Sequence, residues 1–596
     1  MVRVLPDIVG IDKEFDYFVP EALGEVRMGD MVRVDLHGRR VGAWVRAVDV
    51  EPIDRTRLKP LAKLSGRGPS VDLLDLADWA AWRWAGRRAQ LLRTASPPGV
   101  VRSIPPGPSR ASNAAPAHGD AAASEALIGR SLAAARGVLR LPPGDDRFPL
   151  VLAAATDTGS APDGETLVLC PSMDEARRLG RRLRASGVSA TALIADRTGA
   201  VGAGEWARAA AGGTVIGTRA GAWAPVSRLG RVVVLDEHDE VYQEERSPTW
   251  HARDVVIERA RRAGVPCLLV SPCPTLEALA WGELITPGPA AERQGWPHLT
   301  VVDQRQRDPA IGPLFSSDLV DLLRSGGQVV CILNRVGRSR LLACVACETL
   351  ARCERCDAAV ALPEPGLLRC PRCGTERPVV CLACGATKMK NLRPGVSRVR
   401  EELSALISEP VAEIFAGDAD IGDTGRVDAR VVVGTEAALH RLPRADAIAF
   451  LDFDQELLAP RYRGAEQALA LLARAARLVR SRPGARHGRL LVQTRTPDHP
   501  VLQAVRHADP GRLVMSERPM RRALGLPPST AMAVVSGHAA PLFVAALGRP
   551  TGIMVQGPLD GRWRLTAPDH TVLCKALAAV ARPPGRLRIE VDPLRI

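Results

Sequence analysis

Short runs of alternating apolar and polar residues fill the chain up to about residue 64. Met31-Val-Arg-Val-Asp-Leu36 and Val41-Gly-Ala-Trp-Val45 are two such runs, and His37-Gly38 lies between them. Alternation with a period of two residues, broken by turn residues, predicts β-strands with one buried face. The chain is therefore expected to open with a small β-domain.

Two further segments follow this β-domain. Residues 72–93 predict one helix, and its three tryptophans (Trp79, Trp82 and Trp84) favour core packing over stacking on bases. Residues 96–124 are rich in Pro, Ala, Gly and Ser, a composition typical of a flexible linker.

From about residue 125, short apolar runs alternate with arginine-rich helical stretches. This pattern predicts a parallel α/β sheet, whose first strands are Leu167-Val-Leu169, Thr214-Val-Ile216, Val232-Val-Val-Leu235 and Cys267-Leu-Leu-Val270. A second set of runs begins at residues 329–333 and resumes at 429–433 and 447–451. The segment from about residue 505 mixes strands and helices and ends on a strand at 586–591.

Composition adds a preference for an anionic partner. The chain has 596 residues, enough for several domains, and a net charge of +14 from 80 basic and 66 acidic residues. Only six of the basic residues are lysines, at positions 13, 59, 63, 388, 390 and 575. No apolar run approaches the ~20 residues of a membrane span, and no hydrophobic signal core is present at the N-terminus. We therefore expect a cytoplasmic protein without membrane contact.

The strongest chemical signal is a cluster of eight cysteines in four Cys-x-x-Cys pairs: Cys344/Cys347, Cys353/Cys356, Cys370/Cys373 and Cys381/Cys384. Each pair directs two thiolates at one centre, and tetrahedral Zn²⁺ takes four, so two closed structural zinc sites are predicted. Thirteen residues separate the two inner pairs, a suitable zinc-ribbon spacing. Spacing favours a nested arrangement, with the outer pairs forming the other site, but leaves a cross-braced one open.

Several motifs resemble the PriA family of replication restart helicases, also called primosomal protein N′. Phe15-Asp16-Tyr17-Phe18-Val19-Pro20 is similar to that family's FDYxVP, and Asp236-Glu237-His238-Asp239, with Tyr242-Gln243-Glu244 and His251-Ala252-Arg253-Asp254 after it, is similar to DEEHD…YKQE…HARD. Leu333-Asn-Arg-Val-Gly-Arg338 resembles LNRRGY. Gln493-Thr494, Pro497-Asp-His-Pro500 and Arg521-Arg-Ala-Leu-Gly-Leu-Pro-Pro528 also match. Their number and order identify the chain as a member of the family.

The resemblance implies an α/β multidomain protein with a zinc-binding insertion in the second of two RecA-like lobes, here degenerate superfamily 2 helicase lobes. The family's cysteine pairs are nested, which implies one zinc on Cys344, Cys347, Cys381 and Cys384 and another on Cys353, Cys356, Cys370 and Cys373. The expected division is a 3′-end-binding β-domain at 1–95, a linker at 96–124, lobe 1 at 125–300, lobe 2 at 301–340 and 391–504, the zinc module at 341–390 and a C-terminal DNA-binding α+β domain at 505–596.

The helicase chemistry of the family is not matched. Its phosphate loop, GVTGSGKT, falls on Ala155-Thr-Asp-Thr-Gly-Ser-Ala-Pro162, and no lysine occurs between Lys63 and Lys388. A gapless alignment from His251 puts Leu235 where the Mg²⁺-binding acid belongs. The arginine motif falls near Arg474 and Arg477 without its glycines. These losses predict a pseudo-helicase without catalytic residues, in which ATP and Mg²⁺ are not expected as cofactors and Asp236, Glu237, His238 and His251 make packing and polar contacts.

The resemblance also implies a DNA-binding set in the β-domain: Phe15, Asp16, Tyr17, Gly38 and Lys59. Aromatic rings can stack on the terminal base, a carboxylate can accept from a 3′-hydroxyl, and a lysine can pair with phosphate. The alternative for Phe15 and Tyr17 is packing within the domain.

The function expected is a replication restart protein that recognises stalled or abandoned forks and D-loops through a nascent 3′ end and initiates primosome assembly without unwinding. Its partners would be forked and single-stranded DNA, other primosome proteins, single-stranded DNA-binding protein and the loading machinery of the replicative helicase, at the nucleoid. Two alternatives stay open: an active ATP-dependent 3′–5′ helicase with unusual nucleotide contacts, and a zinc adaptor that contacts replication proteins.

Overall fold

A computed structural model describes residues 1–52, 58–107, 121–157, 164–194, 202–306, 314–333, 341–364, 366–391, 396–414, 429–479 and 488–595. Three large sheets and one smaller sheet organise these residues, with a cysteine-rich insertion in the third sheet along the chain. Within the described ranges, no helix is both long enough and apolar enough to cross a bilayer.

The first sheet closes into a small barrel. Its strands are β1 (Val2–Pro6), β2 (Phe15–Phe18), β3 (Met31–Leu36), β4 (Arg39–Val48), β5 (Lys59–Pro60) and β6 (Lys63–Gly66), in the order β5-β2-β1-β4-β3-β6. The segment between the two edge strands joins them, since Leu61 N–H donates to Phe18 O at 3.0 Å and Ala62 N–H to Arg33 O at 2.9 Å. The apolar residues of the alternating pattern point inward, and side chains such as Val4, Val34 and Val45 fill the interior of the barrel.

Two helices, α1 (Val71–Arg83) and α2 (Arg88–Ala95), follow the barrel, so the prediction of one helix over 72–93 is wrong. The chain turns at Ala85, which has a φ of +44°. The adjacent Gly86 lies so close to Pro248 that a Cβ there would be 2.6 Å from the proline Cβ. Trp84 is fully buried and makes an edge-on contact with Trp79 at 5.4 Å, as expected of tryptophans that pack a core.

The predicted linker is partly packed. In the described part of it, Val101 is buried and its carbonyl accepts from Arg67 N–H at 2.7 Å. Residues 108–120 lie outside the described residues.

The second sheet has seven strands, and every pairing in it is parallel. The strand order is β13-β7-β12-β11-β8-β10-β9. Its elements are α3 (Ala121–Ala133), β7 (Arg136–Arg140), α4 (Phe148–Thr156), β8 (Glu165–Leu169), α5 (Met173–Ala185), β9 (Ala190–Leu193), α6 (Ala203–Ala211), β10 (Thr214–Gly217), β11 (Leu229–Leu235), α7 (Ala252–Ala263), β12 (Cys267–Ser271), α8 (Leu276–Trp281), β13 (Glu283–Ile285) and α9 (Pro289–Gly295). The four apolar runs predicted as strands lie in β8, β10, β11 and β12.

The third sheet is also parallel, in the order β14-β24-β23-β15-β22-β21. It starts with β14 (His298–Asp303), α10 (Ser317–Arg324) and β15 (Val329–Ile332). The insertion follows, with β16 (Leu342–Cys344), β17 (Ala361–Glu364), β18 (Leu367–Arg369), β19 (Glu376–Pro378) and β20 (Met389–Asn391). The sheet is completed by α11 (Val396–Ile407), β21 (Val411–Ile414), β22 (Val431–Gly434), α12 (Ala437–Arg441), β23 (Ala447–Phe450), α13 (Asp454–Leu457), α14 (Gly464–Leu478), β24 (Arg489–Thr494), α15 (Pro500–Arg506) and α16 (Gly511–Ala523).

A four-stranded antiparallel sheet ends the chain, in the order β26-β27-β25-β28. It comprises β25 (Ala531–Ser536), α17 (Ala540–Leu547), β26 (Met554–Leu559), β27 (Arg562–Ala567), α18 (His570–Ala578) and β28 (Arg588–Val591). One apolar face of this sheet shares a core with α1, α2 and the second sheet. That shared core holds the chain's two ends against the first parallel sheet.

Candidate nucleotide cleft, metal centres and DNA-contact residues

The first strand-to-helix loop of the second sheet is not the segment to which the sequence alignment assigned the phosphate loop. A phosphate loop joins a strand to the N-terminus of a helix, where free N–H groups point at the phosphate. In this chain β7 is joined to α4 by residues 141–147. Ala155 and Thr156 end α4 instead, and residues 158–163 lie outside the described residues. The placement at 155–162 is therefore wrong, because that segment leaves a helix rather than entering one.

Arg147, the residue before α4, is the cation at this position. Its guanidinium is buried and pairs with two carboxylates, Glu175 and Asp236. No lysine is present in this loop. Arginine presents a planar fork of donors where the family's motif uses a compact ammonium.

Asp236 is the acid at the carboxyl end of the central strand β11. Leu235, which the gapless alignment put at the acid position, is fully buried in the core. Asp236 itself has a φ of +51° and is 2% exposed. Although burial opposes ionisation, the ion pairs with Arg147 and Arg477 hold the pKa of Asp236 well below its usual range. The residue directly after the strand is thus an acid, and two arginines occupy its oxygens.

Two arginines of α14 reach across from the third sheet to the second. Arg477 donates to both oxygens of Asp236 at 2.7 and 2.8 Å. Arg474 pairs with Asp239 at 2.5 Å and with Glu436 at 3.4 Å. These are the residues to which the sequence assigned the degenerate arginine motif, and they lie at the interface of the two sheets.

Further ion pairs join the same interface. Arg463 pairs with Glu277 at 2.8 Å, and Leu276 N–H donates to Glu466 at 2.9 Å. Arg521, which is fully buried, pairs with Glu466 and lies 3.6 Å from Glu277. A cavity of about 440 Å³ remains between the sheets, and its walls carry both signs of charge: Glu237, Asp239, Arg253, Glu436, Arg461 and Arg474.

Glu237, His238 and His251 make local contacts. Glu237 accepts from Thr275 N–H at 2.7 Å and from Arg253 at 3.0 Å. The His238 Nδ1 lies 2.8 Å from Ser271 Oγ. The His251 Nδ1 accepts from Arg253 N–H at 3.2 Å at the start of α7, and burial with Arg253 nearby lowers the pKa of His251 to about 3. All three side chains are used to hold the loops at the sheet edge.

The eight paired cysteines form two tetrads. One contains Cys344, Cys347, Cys381 and Cys384, the other Cys353, Cys356, Cys370 and Cys373, and within each the sulfurs lie within 4.8 Å of one another. The shortest sulfur separations are 3.5 to 3.6 Å. Four sulfurs at ~2.3 Å from a tetrahedral metal would be about 3.8 Å apart, whereas a disulfide requires about 2.05 Å. The donor set and its spacing fit a metal ion.

All four cysteine turns share one backbone conformation. In each, the N–H of the residue after the second cysteine donates to the first cysteine's carbonyl at 2.9 to 3.0 Å. That residue has a positive φ in every case: Glu348, Asp357, Gly374 and Gly385, at 57°, 59°, 78° and 77°. Repetition of this turn predisposes every pair to direct both sulfurs at one point.

The second tetrad is anchored to the third sheet, and the first is more exposed. Ala359 N–H donates to Leu458 O at 2.8 Å, and Arg372 donates to Tyr462 O at 3.3 Å. In the first tetrad, Cys347 and Cys384 are exposed. Residues 334–338 of the LNRRGY-like motif, just before the insertion, lie outside the described residues.

The five DNA-binding candidates of the barrel have different environments. Asp16 accepts from Arg3 at 2.8 and 3.2 Å. Tyr17 is 4% exposed, and its hydroxyl donates to Asp35 O at 3.2 Å. Lys59 is exposed on β5 opposite Tyr17. Tyr17 therefore packs the interior, as the alternative interpretation stated.

Phe15 and Gly38 complete the set. Phe15 packs partly against the barrel core, and the Lys13 ammonium lies 5.7 Å from its ring centre. Gly38 has a φ of +79° in the two-residue turn between β3 and β4, where His37 also has a positive φ. Their roles in DNA binding stay predictions. Sequence reasoning missed the neighbouring Phe18, an exposed aromatic, and Arg147, whose signal was its position between a strand and a helix.

Comparison with known proteins finds relatives along nearly the whole chain. Residues 3–97 match a family model described as the PriA 3′DNA-binding domain. The chain is 30% identical to the "Probable replication restart protein PriA" of Mycobacterium tuberculosis (strain CDC 1551 / Oshkosh), over 92% of this chain and 89% of that protein. It is 28% identical to the protein of the same name in Mycobacterium leprae, over 98% and 99%. Identity to "Replication restart protein PriA" of Bacillus subtilis is 29%, over 54% and 43%.

Similar solved structures include helicases of low sequence identity. The DUF1998 helicase MrfA bound to DNA is 12% identical, covers 65% of this chain and 47% of that one, and has a TM-score of 0.36. A DEAD box protein from Methanococcus jannaschii is 10% identical, with coverages of 67% and 88% and a TM-score of 0.31. Likeness at this level carries no information about activity.

Proposed function

The chain belongs to the PriA family of replication restart proteins, and from that premise we propose that it recognises stalled forks and D-loops and initiates primosome assembly without unwinding DNA. The 3′DNA-binding match over residues 3–97 supports recognition of a nascent 3′ end. The net charge of +14 suits a DNA partner.

The ion pairs of Asp236 support the proposal that the protein does not unwind DNA. Magnesium binds through carboxylate oxygens and requires near-ideal octahedral geometry. Both oxygens of Asp236 accept from arginines, Oδ2 from Arg147 and Arg477 and Oδ1 from Arg477. A Mg²⁺–nucleotide complex would have to displace two guanidinium groups that are fixed on opposite sides of the cleft. The lobes are thus joined by their own side chains where a helicase would hold nucleotide.

An active helicase is the second candidate, and one observation favours it. Arg147, Asp236 and Arg477 still place a cation, an acid and an arginine of the other sheet at one point. These are the charge types that phosphoryl transfer uses. If nucleotide displaced the ion pairs, Arg147 and Arg477 would contact its phosphates and Asp236 would be released to Mg²⁺.

We assign Zn²⁺ to both cysteine tetrads, because four thiolates in a closed tetrahedral site are typical of structural zinc. The metal would supply folding free energy to an insertion of short strands. It would hold the second tetrad in place on the third sheet and leave the first tetrad exposed.

The division of labour follows the expected domains. The barrel and its helices (1–95) would hold the 3′ end. The two degenerate RecA-like lobes (125–300, then 301–340 with 391–504) would form a rigid scaffold. The zinc module (341–390) and the C-terminal domain (505–596) would contact partners and branched DNA. The proposed protein partners are other primosome proteins, single-stranded DNA-binding protein and the loading machinery of the replicative helicase.

The test is binding of the zinc-loaded chain to a fork with a leading-strand 3′-hydroxyl. Matched DNAs are the same fork with a 3′-phosphate and a plain duplex of equal length. We expect tightest binding to the 3′-hydroxyl fork and loss of that preference in Asp16→Asn. Glu25→Gln, which removes an exposed acid of the same domain, serves as the control. Equal affinity of the unaltered chain for all three DNAs would refute 3′-end recognition.

A further inference from the structure

Closure of the barrel brings β2 and β3 close together on its outside. The peptide of Leu61 and Ala62 lies between them and donates to Phe18 O on one side and Arg33 O on the other. With one extended segment between them, the two strands are about 10 Å apart. Tyr17, Leu61 and Val32 point inward, so their neighbours Phe18 and Arg33 point outward.

Phe18 carries an exposed aromatic ring, whereas the other aromatic side chains in the described ranges are buried or half-buried. Its side chain is 40% exposed, whereas the adjacent Tyr17 is 4% exposed. Among the Phe, Tyr and Trp residues that the structure describes, Phe18 alone is in the exposed class. An open ring next to a basic surface is a platform on which a base can stack.

Arg33 and Lys63 form a like-charge pair across β3 and β6. The strand register places them directly opposite each other, and both are exposed. Within the described ranges neither has an acidic partner within ion-pair distance. The nearby acids are engaged elsewhere, Asp35 with Arg40 at 3.7 Å and Asp16 with Arg3 at 2.8 Å. Like charges directly opposite each other repel across a sheet, and a phosphate between them would remove that repulsion.

We propose that Phe18, Arg33 and Lys63, here named the outer strip, bind a single strand of nucleic acid beside its 3′ end. A base stacks on Phe18, and neighbouring phosphates pair with Arg33 and Lys63. The inference rests on the proposed function, because it assigns to the outer strip the nucleotides next to a 3′ end that the barrel already holds. It concerns different residues, because none of the three is in the set predicted for the 3′ end.

The cations are tested by the salt dependence of binding. The full zinc-loaded chain is titrated with a fluorescent fork, ending in a 3′-hydroxyl or a 3′-phosphate, between 50 and 200 mM salt, the range over which phosphate contacts show most clearly. For Arg33→Gln/Lys63→Gln the slope of log affinity against log salt should fall by about 1.4, or ~0.7 for each single-strand phosphate contact. Affinity should fall by the same factor for both forks, because the strip does not contact the terminal hydroxyl.

A charge-matched control separates this contact from general electrostatics. Arg27→Gln/Arg40→Gln removes two exposed arginines of the same domain, each of which has an acidic partner. Its slope should change by less than half as much. The melting temperature of Arg33→Gln/Lys63→Gln should be equal to or above that of the unaltered chain, because the variant loses a repulsion. Equal slopes for the two double variants would overturn the proposal.

The ring is tested with 2-aminopurine placed at successive positions of the fork's 3′ strand. One internal position should be quenched by the unaltered chain and not by Phe18→Leu, which keeps an apolar side chain and loses the aromatic face. Affinity should fall about tenfold, at the low end for loss of one stacked base. Val9→Ala, an exposed apolar residue of the same domain, should change neither readout. Quenching that persists in Phe18→Leu would rule out stacking on this ring.

The outcomes for the strip and for the proposed function are distinct. A 3′-hydroxyl preference together with an unchanged slope in Arg33→Gln/Lys63→Gln would refute the strip and leave end recognition intact. A reduced slope without any 3′-hydroxyl preference would support the strip and refute end recognition. An equal loss of binding to a poly-glutamate peptide would show a general anion surface and overturn the assignment to nucleic acid.

Discussion

Arg477, in the last turn of α14, donates from both terminal nitrogens to the two carboxylate oxygens of Asp236, which follows β11 in the other parallel sheet. The two distances are 2.7 and 2.8 Å, and the Asp236 side chain is 3% exposed. Arg147 contacts the same carboxylate from the loop before α4. One acid thus joins a loop of its own sheet to a helix of the other.

Removal of Arg477 should therefore loosen the two sheets. Arg477→Gln is expected to lower the free energy of unfolding by about 2 kcal/mol, less than the ~3–5 kcal/mol for breaking a fully buried pair, because Arg147 still neutralises Asp236. Urea denaturation measures the change, and hydrogen exchange should rise in α14. Arg177→Gln, in an exposed pair with Asp174, should cost under ~0.5 kcal/mol. Equal costs for the two variants would show that the interface pair adds nothing.

The stability of the protein should fall with rising pH because of Asp452, a carboxyl group whose charged form is disfavoured in the folded state. Burial and the neighbouring Asp454 raise the pKa of Asp452 to about 6, above the ~3.9 of an unfolded aspartate. The contribution of Asp452 to the free energy of unfolding is therefore fully present below about pH 4, and it is lost as the pH rises through about 6. Asp452→Asn keeps the acceptor for Asp454 N–H at 3.2 Å and removes the charge. It should stabilise the chain by about 3 kcal/mol at pH 8 and hardly at all at pH 4.

Thermal unfolding at the two pH values checks this prediction. Asp498→Asn, at an exposed position of the same region, should have little effect at either pH. A gain of equal size at pH 4 and pH 8 for Asp452→Asn would mean that its charge is not the cause.

Disruption of the two cysteine tetrads should have different effects on the melting temperature. Cys347→Ser, at an exposed ligand, and Cys353→Ser, at a buried one, should each lower the zinc content from two to one per chain. Only Cys353→Ser should lower the melting temperature markedly, because its tetrad is joined to the third sheet through Ala359 and Arg372. Zinc released on denaturation gives the count. Loss of both ions in either single variant would show that the sites are not independent.

Tyr17→Phe should separate packing from DNA binding in the barrel. The buried hydroxyl donates to Asp35 O at 3.2 Å, so its loss should cost about 1 kcal/mol of stability. Affinity for a fork with a 3′-hydroxyl should be unchanged, because the ring is enclosed. Urea denaturation and fork binding on the same sample give both values. A large loss of affinity with unchanged stability would place the hydroxyl in the DNA site instead.

Buried parallel strands were the easiest feature to predict from the sequence. The run Val232-Val-Val-Leu235 is apolar on both faces, and all four side chains are buried in β11. The break between α1 and α2 was missed, although Gly86 lies within it and glycine commonly ends a helix. Gly86 also approaches Pro248, a residue far away in the sequence, so closely that a Cβ there would be 2.6 Å from the proline Cβ.

The cleft shows why motif alignment misplaced one of its groups. The glycine at 159 resembles a glycine of the phosphate loop, but it follows the end of α4 rather than its start. The alignment of Leu235 with the Mg²⁺-binding acid stays a prediction, and the structure places Asp236 directly after that leucine. The strand before the true strand-to-helix loop, β7, pairs with β12 and β13, and such long-range pairing is not visible in the local pattern. Arg147 consequently escaped notice.

The barrel residues illustrate the limit of a sequence motif. Phe15, Asp16, Tyr17 and Phe18 are consecutive, and the strand period alone says only that alternate side chains share a face. Which face is inside depends on the pairing of Tyr17 with Val2 and with Lys59. That pairing buries Tyr17 and exposes Phe18.

ATP hydrolysis with and without a fork DNA tests the central claim most directly. The zinc-loaded chain and its Asp236→Asn variant are assayed together, with fork binding measured on the same preparations. The account predicts tight fork binding and no fork-dependent hydrolysis in either protein, because Arg147 and Arg477 occupy Asp236. Hydrolysis that rises with fork DNA and disappears in Asp236→Asn would contradict it and restore the chain to the active helicases.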